Sequence, residues 1–238
     1  MIVRGSGVES DDPTLVRSPE LFVGRAWKRQ LPKGPAGETL RSLIEQASGL
    51  LEEHPVNRVR IDLGENPANL IWLWGSADAR SARTFAERTN RSGVVISNWF
   101  PMRGFARTVG VDWKEGPTSF EEGPLQRQRK VLGEAIKRYD VVYLHLRIDA
   151  ADPVERLCAM ERIDQILLKP MTEALPAFES WRLLAAIDDR KHGSIPFVAI
   201  GSGLPQQPVA RLDARSLADS PLTFADGPAL FSWFTTIG

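Results

Sequence analysis

The chain has 238 residues, 42% hydrophobic and 25% charged, and its 30 basic and 30 acidic side chains cancel. That length buries one large core or two small ones, while the balanced charge excludes the strongly basic make-up of a protein that coats nucleic acid or an anionic membrane. One cysteine, Cys158, excludes an internal disulfide and a cysteine-built zinc site. No run approaches the ~20 apolar residues of a membrane span, the opening MIVRGSG lacks the apolar stretch of a signal peptide, and a cytoplasmic location is expected.

In chain order, IVRGSG reads as the tail of a strand entering a Gly-bounded turn, and the polar, Pro-containing stretch to about Gly37 reads as loop. From Glu38 to His54, Leu40, Leu43, Ile44, Ala47, Leu50 and Leu51 recur at three- and four-residue spacing, which predicts an amphipathic helix stopped by Pro55. LIWLW (70–74) and GVVIS (93–97) are short apolar runs bounded by Gly, Asn and Ser, as buried strands are, with a helical SARTFAERT between them. The Gly-, Pro- and charge-rich stretch 111–124 reads as a loop and as the domain boundary. A helix over about 124–138, the strand VVYLHL (141–146), a helix over about 153–175 and the strands RLLAAI (182–187) and FVAIG (197–201) complete the pattern. Strands alternating with helices predict an α/β protein with a mainly parallel sheet.

VRGSG (3–7), HPVNRVR (54–60), PANLIWLWG (67–75), VVIS (94–97), YDVVYLHL (139–146), ERIDQ (161–165) and IPFVAIG (195–201) follow one another as they do in archaeal-type cofactor-independent phosphoglycerate mutases. The chain resembles that family, and with it the alkaline phosphatase superfamily, along most of its length. The resemblance implies a partial alkaline phosphatase-like sheet plus an α/β cap: residues 1–112 as the substrate-recognition cap and 113–238 as the second half of the metal-binding domain. It covers the later part of such an enzyme, so the segment with the first metal-ligating Asp and the hydroxyl nucleophile is expected to be absent.

The family's reaction moves a phosphoryl group between neighbouring oxygens with two divalent metals, which lower the nucleophile's pKa and neutralise phosphoryl charge. After the strand bearing His145 the family places an Asp and, four residues on, a His. This chain reads HLRIDAADPVERL, where Asp149 or Asp152 can stand for the Asp and no His follows; Asp152 before Pro153 also reads as a helix N-cap. After RLLAAI the resemblance makes Asp188, Asp189 and His192 relics of metal ligands, but Arg190 and Lys191 stand among them, where a cation site least welcomes positive charge. No cofactor is expected on this reading.

The recognition side is better kept. Arg4, Arg58, Arg60 and Arg103 carry guanidinium forks suited to carboxylate or phosphate, and His54 and Asn57 can add hydrogen bonds. The alternative is purely structural: His54 and Asn57 cap a helix end and the arginines are solvated. Trp99, Phe100 and Met102 form an apolar cluster that reads either as packing or as a contact surface. The expectation is therefore a catalytically degenerate relative, a binding or assembly protein for a small phosphorylated carboxylic acid. It would form a homo-oligomer or pair with a full-length relative, with no nucleic-acid or membrane partner. The alternative is an active mutase or phosphotransferase holding manganese or zinc and completed by another chain.

Overall fold

A computed structural model describes residues 17–74, 83–187, 195–204 and 214–236. The chain divides into two compact units, Met1–Ser81 and Ala82–Gly238.

In the first unit the described regular elements are helical. Two short 3-10 turns, Pro19–Phe22 and Trp27–Gln30, precede helix α1 (Pro35–Glu52) and helix α2 (Pro55–Asp62). Leu40 and Ile44, one turn apart on α1, are buried, whereas Leu43 and Leu50 at the margins of the predicted stripe are exposed. Pro55 ends α1 as its lost N–H requires, but it also opens α2: Pro at the first helical position sacrifices only an N–H that would go unpaired there. HPVNRVR is thus itself a helix start. The strand expected at 70–74 does not form, because LIWLW has no ladder partner among the described residues. It is held instead by side chains: the Trp72 indole donates to the Arg17 carbonyl at 2.9 Å and stands edge-on to Phe22.

The second unit is built on a parallel sheet in the order β2-β1-β3, from β1 (Gly93–Ser97), β2 (Asp112–Glu115) and β3 (Val141–His145). β1 carries the apolar run and is buried at four of its five residues, as a central parallel strand must be. β2, DWKE, lies in the stretch expected to be loop: a strand paired on one side only needs no apolar run, and only Trp113 and Lys114 are half-buried. The expected boundary at 112/113 falls where β2 begins, inside a sheet whose hydrogen bonds join Val94–Ser97 to Asp112–Glu115, and the compact units part at 81/82.

Helix α3 (Phe85–Thr89) precedes β1, and helix α4 (Pro101–Val109) connects β1 to β2 and packs on both. Helix α5 (Glu122–Arg138) returns the chain to β3 along the opposite face, where Leu132 and Ala135 close over Val94, Ile96, Val142 and Leu144. Beyond β3, helix α6 (Pro153–Ile163) runs through a single π-helical turn, Asp164–Leu168, into α7 (Lys169–Ala174). The wide turn stands just ahead of Pro170, whose missing N–H and bulky ring a regular α-helix could not accept. Leu125, Ile163 and Leu167 make a second core where α5 meets this helix. A separate antiparallel pair, β4 (Arg182–Ala186) with β5 (Phe197–Gly201), follows. It is tied to the last helix (Gly227–Thr236) by Arg182, which donates to the Phe234 carbonyl at 2.8 Å, and by the ring series Phe197, Phe224, Trp233.

Candidate functional site

In the first unit the HPVN motif spends its polar atoms on the backbone. His54 is the N-cap of α2, its Nδ1 accepting from the Val56 N–H at 3.2 Å. Asn57 is 4% exposed; its Nδ2 donates to the carbonyls of Leu51 and Ala68, each at 2.6 Å, and its Oδ1 accepts from the Ala68 N–H at 2.9 Å. One buried amide therefore fastens the end of α1 to the chain leaving α2. Arg58 is exposed, and Arg60 stands 3.7 Å from Glu65 with both side chains in solvent. Arg4 lies outside the described residues, as do Gly75, Asp188, Asp189 and His192.

In the second unit the strand ends converge on a cleft of about 830 Å³. The order β2-β1-β3 explains its place. The connection leaving β1 passes over one face and that leaving β2 over the other, so β2 and β3 flank β1 and the loops diverge beyond the carboxyl ends of the strands, where open α/β sheets bind ligands. Ser97 and Asn98 stand at the end of β1, Trp113 and Glu115 come from β2, and Arg147, Ile148 and Asp149 follow β3. The floor is rigid. Asn98 bridges to Arg147 through both of its amide atoms, accepting from its N–H at 2.8 Å and donating to its carbonyl at 2.9 Å, so a side chain extends the ladder past the last strand residue. Gly116 seals β2 against β1, donating to the Ser97 carbonyl at 2.8 Å; a Cβ there would lie 2.4 Å from the Asn98 nitrogen.

Ser97 and His145 face each other across the β1–β3 register, with Ser97 Oγ 2.9 Å from Nδ1. The Trp99 N–H donates to the same Oγ at 3.0 Å, and the Trp99 carbonyl lies 3.5 Å from it, so one hydroxyl joins the imidazole to the turn that leaves β1. Burial, and after it the Arg147 charge, hold the imidazole below its ordinary pKa. His145 is thus a strand-end histidine whose Nδ1 is engaged by Ser97.

The carboxylates expected as relics are engaged elsewhere. Asp149 Oδ1 lies 2.6 Å from Arg147 Nε, and that guanidinium covers the Trp99 ring at 5.4 Å. Asp152 caps α6, accepting from the Val154 N–H at 3.0 Å. An aspartate held by guanidinium and another turned into a helix cap do not fit a divalent metal, and among the described residues no three His, Cys, Asp or Glu side chains cluster to hold one. Arg103, on the first turn of α4, lies over Phe100 at 5.9 Å and Trp113 at 5.4 Å, two rings that line the cleft. It has no carboxylate in ion-pair range among the described residues. The structure also brings in Arg162, paired with Glu121 at 2.9 Å, and Cys158. Cys158 comes from the middle of α6 and Arg162 from its last turn, where helical spacing alone marks nothing beyond an ordinary amphipathic helix.

No family model matches the sequence. A 2,3-bisphosphoglycerate-independent phosphoglycerate mutase of Methanothrix thermoacetophila is 31% identical over 226 residues, which is 88% of this chain and 57% of the relative. The chain is similar to cofactor-independent phosphoglycerate mutases over most of its own length. A probable mutase of the same description from Geobacter sulfurreducens is 30% identical over 88% of the chain and 56% of its own length. The chain therefore spans about half the length of the curated relatives it matches. The fold agrees: the cofactor-independent phosphoglycerate mutase of Thermoplasma acidophilum superposes on 81% of this chain and 50% of its own with a TM-score of 0.50 at 18% identity. A Pyrococcus horikoshii protein does so on 72% and 50% with a TM-score of 0.51 at 23%. The mixed α/β fold with its three-stranded parallel sheet thus matches the fold of these neighbours. No helix among the described residues is long and apolar enough to cross a membrane.

Proposed function

We propose that this phosphoglycerate mutase relative binds a small phosphorylated carboxylic acid in the cleft at the ends of β1, β2 and β3 and does not transfer its phosphoryl group. The observation that supports the reading is the 2.6 Å pair of Arg147 with Asp149: a guanidinium engages the carboxylate that, by resemblance, stands for the family's metal-ligating Asp. Arg103 and the remaining N–H groups of Arg147 offer charge-assisted donors to phosphate and carboxylate, while Asn98 and Gly116 hold the strand ends that carry them. Within this reading the first unit descends from the substrate-recognition cap and the second from the metal-binding domain. Millimolar 3-phosphoglycerate should raise the melting temperature of the parent by mass action and leave Arg103→Ala unchanged. Manganese and zinc should alter neither that response nor a background rate of isomerisation. Stoichiometric metal in the purified protein, or metal-dependent turnover, would overturn the proposal.

A second reading, an active site completed by another chain, draws on the free edge of β3. Val141 donates back to the Ser92 carbonyl beside β1, so alternation turns the N–H and C=O of Val142 and Leu144 outward, with no strand to meet them among the described residues. An unprotected edge of this kind invites another strand. Sedimentation equilibrium of the full chain, alone and mixed with a full-length mutase, decides this: turnover that requires the mixed assembly and exceeds that of the mutase alone would favour it.

A further inference from the structure

The first unit holds a second concavity, of about 530 Å³, that the phosphoglycerate mutase resemblance does not account for. Lys28 and Arg29 come from the 3-10 turn Trp27–Gln30, Lys33 from the link to α1, and Arg41 from the second turn of α1; Leu31 and Glu45 complete the wall. Four cations thus meet one carboxylate. None of the four has a carboxylate within ion-pair range among the described residues, although Glu45 stands one helical turn from Arg41. Among the described residues Lys28 is occupied only by its stacking over the Trp27 ring, at 5.6 Å. Gathering unneutralised like charges in a concavity costs free energy, the more so in a chain with enough acids to neutralise every base. A counter-charge that arrives from outside removes that cost.

We propose that this concavity is a binding site for a compact polyanion, a small molecule carrying two or more phosphate groups. One carboxylate would leave most of the excess charge unmet, whereas a di- or triphosphate neutralises it. Arg29 and Arg41 supply planar forks that match phosphate oxygens in pairs, and Lys28 and Lys33 supply movable point charges. The concavity is open to solvent and, at about 530 Å³, is far short of a groove that tracks a polymer. The site is distinct from the strand-end cleft: none of its lining residues is shared with that cleft.

The test uses the full chain and tripolyphosphate, with orthophosphate and a 12-nucleotide single-stranded DNA as comparators, at constant ionic strength in isothermal titration and thermal-shift measurements. Tripolyphosphate should bind saturably at one site and tighter than orthophosphate. Arg41→Gln and Lys33→Gln should each weaken it roughly tenfold, the loss of one charge-assisted contact. Arg103→Ala should leave it unchanged, and this separates failure here from failure of the strand-end cleft. Because either variant relieves like-charge crowding, neither should melt below the parent without ligand, which guards against misreading a misfolded variant. Equal binding of orthophosphate and tripolyphosphate, tighter binding of the oligonucleotide, or unchanged affinity in both variants would overturn the proposal.

Discussion

Replacing Asn57 by alanine separates a structural role of the HPVN motif from a ligand-binding one. Three hydrogen bonds disappear: two from Nδ2, to Leu51 and Ala68, and one from the Ala68 N–H to Oδ1. Each is worth about 1 kcal/mol net, and a buried group left unpaired costs about 1–3 kcal/mol. Ala68 is exposed, so its N–H and C=O can turn to water; the Leu51 carbonyl at the half-buried end of α1 has less opportunity. The expected loss is therefore about 2–3 kcal/mol, which in a unit of this size lowers the melting temperature by roughly 10–20 °C. Asn57→Asp should do no better. It keeps an acceptor for Ala68 but sets a carboxylate against the two carbonyls that Nδ2 now serves. The assay is urea unfolding with hydrogen exchange read on peptides spanning 38–53 and 55–72, where protection should fall while β1 and β3 stay protected. Arg58→Ala, on an exposed side chain, should change stability by less than about 0.5 kcal/mol. A change below about 0.5 kcal/mol in Asn57→Ala, or a lost 3-phosphoglycerate response with unaltered exchange, would refute the bracing role.

The other predictions concern the second unit. A base whose folded pKa lies below its unfolded value of about 6.5 binds fewer protons when folded. His145 should therefore contribute full stability above that pH and lose it as pH falls toward the depressed folded value. Urea midpoints should drop between pH 7.5 and 5, and His145→Asn, which keeps a hydrogen-bonding side chain opposite Ser97, should flatten part of that slope; an unchanged slope would argue against the lowered imidazole pKa. Gly116→Ala should cost at least about 2–3 kcal/mol, since its methyl meets backbone on both sides of the Ser97–Asn98 peptide bond, and near-parent stability would show that β2 can shift away. Asp149→Ala should change stability by no more than about 1 kcal/mol, because the pair with Arg147 is exposed, with side chains 50% and 70% accessible. Calorimetric melts of the two proteins check it, and a larger loss would mean that the pair holds the β3–α6 loop.

Much of the fold was legible in the sequence. GVVIS and VVYLH are strands because β-rich apolar runs are bounded on both sides, and α1, α5 and α6 follow from a period that ten or fifteen residues suffice to express. The same local logic misread three stretches. DWKE became a strand with no apolar run because β1 supplied its hydrogen bonds, and LIWLW stayed outside any described ladder because no neighbouring strand met it. Pro55 carries two meanings, helix stop and helix start, and the chain uses both. The sites divide in the same way. Sequence named Asn57, Arg103 and Asp149 as polar groups worth following, but it could not show that Asn57 would face two carbonyls or that Arg147 would turn back onto Asp149. Nor could it show that Lys28, Arg29 and Lys33 would meet Arg41 across the bend into α1. What the sequence by itself determined is what a residue's own backbone and its near neighbours settle: period, caps and breaks. Which donor meets which acceptor, and which charges are left without a partner, only the tertiary structure decided, because those energies depend on groups that the fold brings within a few ångströms from distant parts of the chain.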